Sequence, residues 1–469
     1  MLQPAHVIRR HNTFFMILPV AYSLNLEKEV HHPRPCTRSL LHEPCMVNRV
    51  TLALIAGLCA DSQAQEWTRF RGPNGSGISA ATGIPVTWTD SDYNWKIDLP
   101  VKGSSSPVLW GKQIFLTGDD AEEKSRSILC LDANSGRIQW RRDYPFDDYR
   151  LHRDNDFASA TPCVDQDGVV FVWSTPKQVL MIALDLKGEQ MWRRDLGPLR
   201  GLHGSASSPI IADGLVLLAN DQMNPKRFSF YLPEDTDWNP GKSFLIALDR
   251  KTGKTRWKID RKSELTGYAT PCIRRIGRRA EAIFTSTAHG ITAVDLQSGK
   301  ISWEIDQLWD DRTVSSPQLH DDLVFGSFGR GLSGQRFVAV RPDKTGGAKG
   351  ELVYDVTKSV PLVPSFVVKD DLLFLWTDSG VVTCLDAPTG KVHWRKRVGH
   401  SCYSSPIWID GRLYGISKRG EVIVLAASKE FKELGRVDLD EKTFATPAIA
   451  NGVMYLRTRS RLYSLGKAK

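Results

Sequence analysis

The chain has 469 residues, a formal net charge of +9 from 62 Lys and Arg against 53 Asp and Glu, and an excess of Trp, with 14. Charged residues make up 25%, as in a folded globular protein, and no run of five or more like charges marks a patch or tail for nucleic acid. Length alone would suggest about three domains, but a closed ring of repeats can occupy this many residues as one.

Residues 1–45 are rich in His, Arg and Pro and show no sustained periodicity. They are expected to be an over-called upstream extension, with Met46 the true start; a long leader with an apolar patch over Phe14–Tyr22 is the alternative. Residues 46–64 carry the three parts of a secretory signal. These are a short basic start ending at Arg49, an apolar core from Val50 to Cys59, and small residues Ser62 and Ala64 before a cleavage point. Leu58 precedes Cys59 where a small residue would precede a lipid-modified cysteine, so soluble export to the periplasm or beyond is expected. No stretch of 18 apolar residues reads as a membrane span. Residues 65–93 are a lead-in, in which GPNGSG (Gly72–Gly77) lacks the G-K-[ST] of a phosphate loop and reads as an ordinary loop.

From residue 94 two motifs alternate. The first is a small-residue pair, then Pro, then an apolar strand, with Pro at 107, 162, 209, 271, 317, 364, 406 and 447. The gaps of 55, 47, 62, 46, 47, 42 and 41 residues are a propeller-blade period. The second is an apolar strand, Asp, a Gly turn, and Trp four residues after the Gly. It occurs at Gly136 and Trp140, Gly188 and Trp192, Gly253 and Trp257, Gly299 and Trp303, and Gly390 and Trp394. The fifth unit keeps the spacing from Gly350 to Tyr354, and the seventh has lost it. Asp starts the turn by bonding amides two residues on, and Gly supplies its left-handed φ. The Trp then opens an outer strand and fills the wedge between neighbouring sheets. The orphan NWKIDL (Asn94–Leu99) resembles these outer strands, and its Trp95 stands in the docking position. The last unit, ending near Leu465, lacks an outer strand, so Asn94–Leu99 is predicted to pair with the segment from Arg457 to Gly466 and close the ring. The fold class is therefore all-β, an eight-bladed β-propeller over residues 94–467.

Of the cysteines beyond the signal, Cys130 and Cys384 share one repeat slot, and Cys163 and Cys272 share another, while Cys402 stands alone. Five cannot all pair with one another, and buried free thiols are expected.

These motifs resemble the PQQ-repeat family, whose A-x-D-x-x-T-G-x-x-x-W element is the tryptophan-docking motif of quinoproteins. The opening WTRFRGPNGSGIS (Trp67–Ser79) also looks like the start of secreted members of planctomycete type. The resemblance implies the propeller fold and leaves function open. The family contains pyrroloquinoline-quinone (PQQ) dehydrogenases with Ca²⁺, and non-catalytic members that share the fold of the outer-membrane assembly factor BamB. The parts of a dehydrogenase are not found. There is no Cys-Cys pair for the quinone, no C-x-x-C-H for haem, and no recognisable Glu, Asn and Asp set for Ca²⁺. HRD (His152–Asp154) lacks the other kinase motifs. A WD40-type interaction ring is disfavoured because the G-H and W-D elements are missing.

Any site should lie where loops entering the inner strands converge on the axis. Those loops carry Arg150, His152, Arg153, Asp154 and Asp156, then Arg200 and His203, then Tyr268, then Asp310, Asp311 and Arg312, then His400 and Tyr403. They are the ligand-binding candidates, and a solvated rim is their plain alternative. Trp95, Trp140, Trp192, Trp257, Trp303 and Trp394 are assigned to blade docking. A long insertion, Asn220 to Lys242, interrupts the third unit. The expectation is a monomeric, exported, non-catalytic binding or scaffolding propeller, with no cofactor, no metal and no catalytic residue, and an unnamed protein or small-molecule partner. A quinone-dependent oxidoreductase binding PQQ and Ca²⁺ is the alternative.

Overall fold

The computed structural model describes residues 67–147, 149, 151–201, 203–204, 206–227, 241–331, 333–343 and 350–467. The expected signal segment and upstream extension lie outside these residues, as do Arg150 and most of the insertion in the third unit. Among the described residues, no helix is long and apolar enough to cross a membrane.

Eight sheets, each with four antiparallel strands, form the eight blades of a propeller, and Ile78–Ser79 adds a short parallel strand to the seventh. Blade 1 illustrates the pattern, with strands Val108–Trp110, Gln113–Asp120, Ser125–Asp132 and Ile138–Pro145 from axis to rim. The two middle strands are buried along nearly their whole length, because a blade is covered on both faces by its neighbours. The eighth blade is composite. Tyr93–Asp98 pairs antiparallel with Arg461–Gly466, setting Lys96 opposite Tyr463 and Asp98 opposite Arg461, so the ring closes as the sequence predicts.

Both repeat motifs have a geometric meaning between blades. The docking ring of one blade lies flat on the turn glycine of the next. A Cβ on Gly136, Gly188, Gly253 or Gly299 would stand 2.9, 2.8, 2.7 or 2.5 Å from Trp95, Trp140, Trp192 or Trp257 respectively. The indole N–H then donates to the carbonyl just after the motif Asp: Trp95 to Ala133, Trp140 to Leu186, Trp192 to Arg250 and Trp257 to Leu296, at 2.9–3.1 Å. Tyr354 replaces the indole with a hydroxyl that donates to Ala387 O at 2.6 Å. Trp394 donates to Ser428 O at 3.0 Å, although the seventh unit has lost its glycine turn. Trp303 departs from the pattern and donates within its own blade to Glu281 at 3.3 Å. Trp192, Trp257, Trp303 and Trp394 are buried; Trp95 and Trp140 are half-buried.

The small-residue motif forms a belt around the axis. Its hydroxyl residue accepts a hydrogen bond from the backbone N–H of the matching residue in the preceding blade. Ser106 N–H donates to Thr161, Thr161 to Ser208, Thr270 to Ser316, Ser316 to Ser365, Ser365 to Ser405, Ser405 to Thr446, and Thr446 back to Ser106, at 2.9–3.1 Å. In blade 6 this corrects the sequence alignment. The belt position is Ser365, with Phe366 in the place held elsewhere by Pro, and Pro364 lies one residue before the belt.

The lead-in does more than connect. Trp67 to Gly77 crosses the axis and touches six blades. Trp67 O accepts from Leu109 N and Thr68 O from Val164 N, both at 2.8 Å. Arg69 donates to Pro271 O, Asn74 pairs with both backbone groups of Ile273, and Gly75 O accepts from Gln318. Arg71 donates to Phe366 O at 2.8 Å, and Gly77 O accepts from Trp408 N at 2.7 Å. The GPNGSG stretch is thus part of an axial plug. Arg69 and Arg71 are buried, and burial lowers their pKa to about 10 and about 9, so both stay charged at neutral pH. Residues 80–88 continue along blades 7 and 8, where Ile84 and Trp88 are buried in one apolar cluster with Ile449 and Leu465. Val86 O lies against Gly435, so this segment fills the wedge left by the missing seventh docking ring.

Candidate functional site

The plug leaves a cavity of about 230 Å³ above it on the axis. Phe70 and the hydroxyls of the belt, among them Ser106, Thr161, Ser208 and Ser405, line its depth. Its walls come from the loops that enter the inner strands. Six sequence candidates meet there: His152, Asp154, His203, Tyr268, Arg312 and Tyr403. Four do not. Arg153 is exposed outside the lining, and Arg200 is half-buried away from it, its backbone holding Gln222 and Met223. His400 is exposed in a separate cleft with Lys418, Arg419 and Lys442. Asp310 uses its carbonyl on Arg227. Arg150 lies outside the described residues.

One wall is cationic and short of partners. Arg312 Nη1 lies 2.6 Å from Nε2 of His203, and the His203 and His152 rings are 5.1 Å apart. Burial first, then the Arg312 charge, push the His203 pKa down to about 3. Asp311, beside Arg312 in sequence, is buried but gives its carboxylate to Arg330 at 2.6 Å and to its own neighbour's backbone N–H at 2.8 Å. It stands 3.7 Å from Arg312 Nε, which has no hydrogen-bond partner. The buried Tyr268 hydroxyl lies near the Thr266 side chain and the His203 backbone N–H without a well-formed hydrogen bond, and burial raises its pKa to about 12. Asp156 is buried behind the lining, where it accepts from Ser104 at 2.5 Å.

At Asp154, Tyr403 and Phe444 the lining backs onto an internally satisfied cluster. Lys418 donates to Asp154 at 2.9 Å and lies over the Tyr403 ring, 4.2 Å from its centre. Lys442 reaches Asp154 at 3.9 Å and covers Phe444 at 4.8 Å. Burial alone would raise the Asp154 pKa, but the Lys418 hydrogen bond and charge hold it below the usual carboxylate value. Lys418 escaped the sequence reading because it stands in a hairpin outside the loops that enter the inner strands; Phe444 was missed although it stands three residues before Pro447, the slot that holds Tyr268 and Tyr403, and that register could have found it.

A quinone with a divalent ion needs several oxygen ligands around the metal. Among the described lining residues Asp154 is the single carboxylate, and two lysines already neutralise it. All five described cysteines are free and buried, and none lines the cavity. The described lining therefore offers a divalent ion no free carboxylate. The one group of His and Asp close enough to share an ion among the described residues, His320, Asp321 and Asp371, lies elsewhere and already forms a His320–Asp371 contact of 2.7 Å.

Comparison with known proteins agrees with this architecture. BamB of Yersinia pestis is 20% identical over 349 residues, covering 74% of this chain and 70% of that protein. The crystal structure of BamB from Moraxella catarrhalis superposes with a TM-score of 0.55 at 14% identity, over 83% of this chain and 98% of that one. The quinohemoprotein alcohol dehydrogenase of Comamonas testosteroni gives 0.61 at 10% identity, over 90% and 83%. At such identities these structures share the fold alone. The PQQ-repeat model described as outer membrane protein assembly factor BamB matches residues 124–325 and 333–430, more than half of the sequence, and the chain belongs to that family.

Proposed function

We propose that this is an exported, non-catalytic binding propeller whose axial cavity takes a small ligand rich in hydrogen-bond acceptors. The observation that carries the reading is Arg312 Nε, a charged donor at the cavity that is buried without a hydrogen-bond partner. A buried unpaired donor costs about 1–3 kcal/mol, more when charged, and a ligand acceptor recovers that. Among the described lining residues, none forms an acid–base pair poised for chemistry. His203 is held neutral by its surroundings, and Asp154 is locked to Lys418. The relatives' description as an assembly factor supports a protein partner on the rim as well.

The test is native mass spectrometry of small molecules released from protein purified from its own host, followed by calorimetric titration of what is found. Binding weakened at least about tenfold in Arg312→Ala supports the reading. A parallel titration with PQQ and Ca²⁺, with a dye-linked alcohol assay, tests the alternative: micromolar binding with turnover overturns the non-catalytic assignment. Export is tested by N-terminal sequencing, where a mature end near Gln65 or Glu66 is expected.

A further inference from the structure

We propose that a second cavity, between blades 1 and 2, binds a small aromatic carboxylic acid. It encloses about 590 Å³, and Phe146, Tyr149 and Trp173 are among its walls. It is distinct from the axial cavity. The loop that supplies His152 and Asp154 to the axis first passes this cavity, where its Phe157 packs against Phe146 at 4.5 Å and Tyr149 at 5.1 Å.

The group that calls for a ligand is Arg126. Its side chain lines the cavity and is 3% exposed. Its guanidinium lies 4.7 Å from the centre of the Phe146 ring and 5.6 Å from that of Trp173. It makes no ion pair or hydrogen bond among the described residues, and its Nη1 is buried without a partner. Asp119 is its direct cross-strand neighbour, yet the two form no ion pair. A buried guanidinium without an anion is costly, while stacking leaves its edge free for a two-point contact with a carboxylate. The indole N–H of Trp173, also buried and unpartnered, is a second donor beside it.

The rest of the wall selects the body of the ligand. Tyr144 meets Trp173 edge-on at 5.3 Å, so flat apolar faces surround the cation. Such faces accept an aromatic ring by offset or edge-to-face packing. The rim acids are already engaged, Asp147 by Lys177 at 3.0 Å and Asp195 by Gln178 at 2.7 Å. They neither neutralise Arg126 nor offer a site to a cation.

The experiment is titration of the full mature chain with benzoate and indole-3-acetate against their neutral amides, read by calorimetry and Trp fluorescence. The acids are expected to bind at least about tenfold tighter than the amides, and Arg126→Gln to remove that preference. Equal binding of acid and amide, no binding of either acid at millimolar concentration, or full binding by Arg126→Gln overturns the proposal. Arg312→Ala, which disables the axial cavity, separates the two sites: acid binding lost there and kept in Arg126→Gln also overturns it. Should Arg126→Gln fail to fold, photolabelling of the wild-type chain with 4-azidobenzoate decides. Label on residues 144–149 or 173–180 supports the site, and label confined elsewhere overturns it.

Discussion

Arg312 and His203 hold each other on one wall of the axial cavity, Nη1 to Nε2 at 2.6 Å, and the contact fixes the charge of the imidazole. Burial and then the guanidinium lower the His203 pKa to about 3. The unfolded chain takes up this proton near pH 6.5, so between about pH 6.5 and 3 it binds more protons than the folded one. The His203 contribution to stability is therefore complete above pH 6.5 and is lost progressively on acidification. NMR titration should show His203 unprotonated at pH 5, and Arg312→Met should move its pKa upward. A wild-type His203 titrating near 6.5 contradicts the contact.

Asp221 carries the opposite sign. It is fully enclosed, and burial raises its pKa to about 7 against the pull of Arg261. Between about pH 4 and 7 the folded state then binds more protons than the unfolded, so this group's contribution falls as pH rises through that window. Asp221→Asn should gain stability relative to the wild type on going from pH 5 to pH 8, by roughly 1–3 kcal/mol. Urea midpoints at the two pH values check it, and a difference independent of pH refutes it.

The docking geometry gives a paired expectation. Trp192→Ala removes a buried ring and should cost roughly 3–5 kcal/mol. Gly253→Ala, a change of one methyl group, should also destabilise by more than 1 kcal/mol, because its Cβ would stand 2.7 Å from that same ring at a φ of 66°. The double variant should cost less than the sum, since the methyl group meets no ring once Trp192 is gone. Chemical denaturation of the four proteins measures the coupling.

Two truncations separate plug from closure. Removal of residues through Ser79 keeps Tyr93–Asp98 and its partner strand, so a monomeric ring of lower melting temperature is expected. Removal through Leu99 strips the outer strand from Arg461–Gly466 and exposes its edge, and self-association is expected. Light scattering distinguishes the two. A monomeric second truncation counts against the closing role of that strand.

The scaffold was legible because each unit repeats the same local physics. A turn Asp and Gly followed by Trp, or a hydroxyl before Pro, makes the same contact to the next blade in most copies, Trp303 being an exception. Reading failed where a copy drifts, as at Pro364, because Ser365 keeps the hydroxyl while Phe366 takes the proline's place. The axial candidates were half legible. Loops entering inner strands do bring Arg312 to His203, but Lys418 reaches Asp154 across a separation of 264 residues from a hairpin with no distinguishing pattern. The plug gave no periodic cue at all, since its residues meet six blades through contacts that do not repeat.

That plug has a consequence for the order of events during synthesis. Residues Trp67 to Gly77 leave the ribosome before any blade exists, yet their acceptors and donors run as far as Trp408. Arg71 waits for Phe366, 295 residues later. The earliest part of the ring to be made is thus among the last to find its place, and contacts of such separation form slowly. Its two arginines, charged and hydrated until the carbonyls of blades 4 and 6 arrive, resist premature burial in a half-made ring. Refolding should accordingly end with a step in which a nearly finished ring, already rich in strand, captures its own beginning.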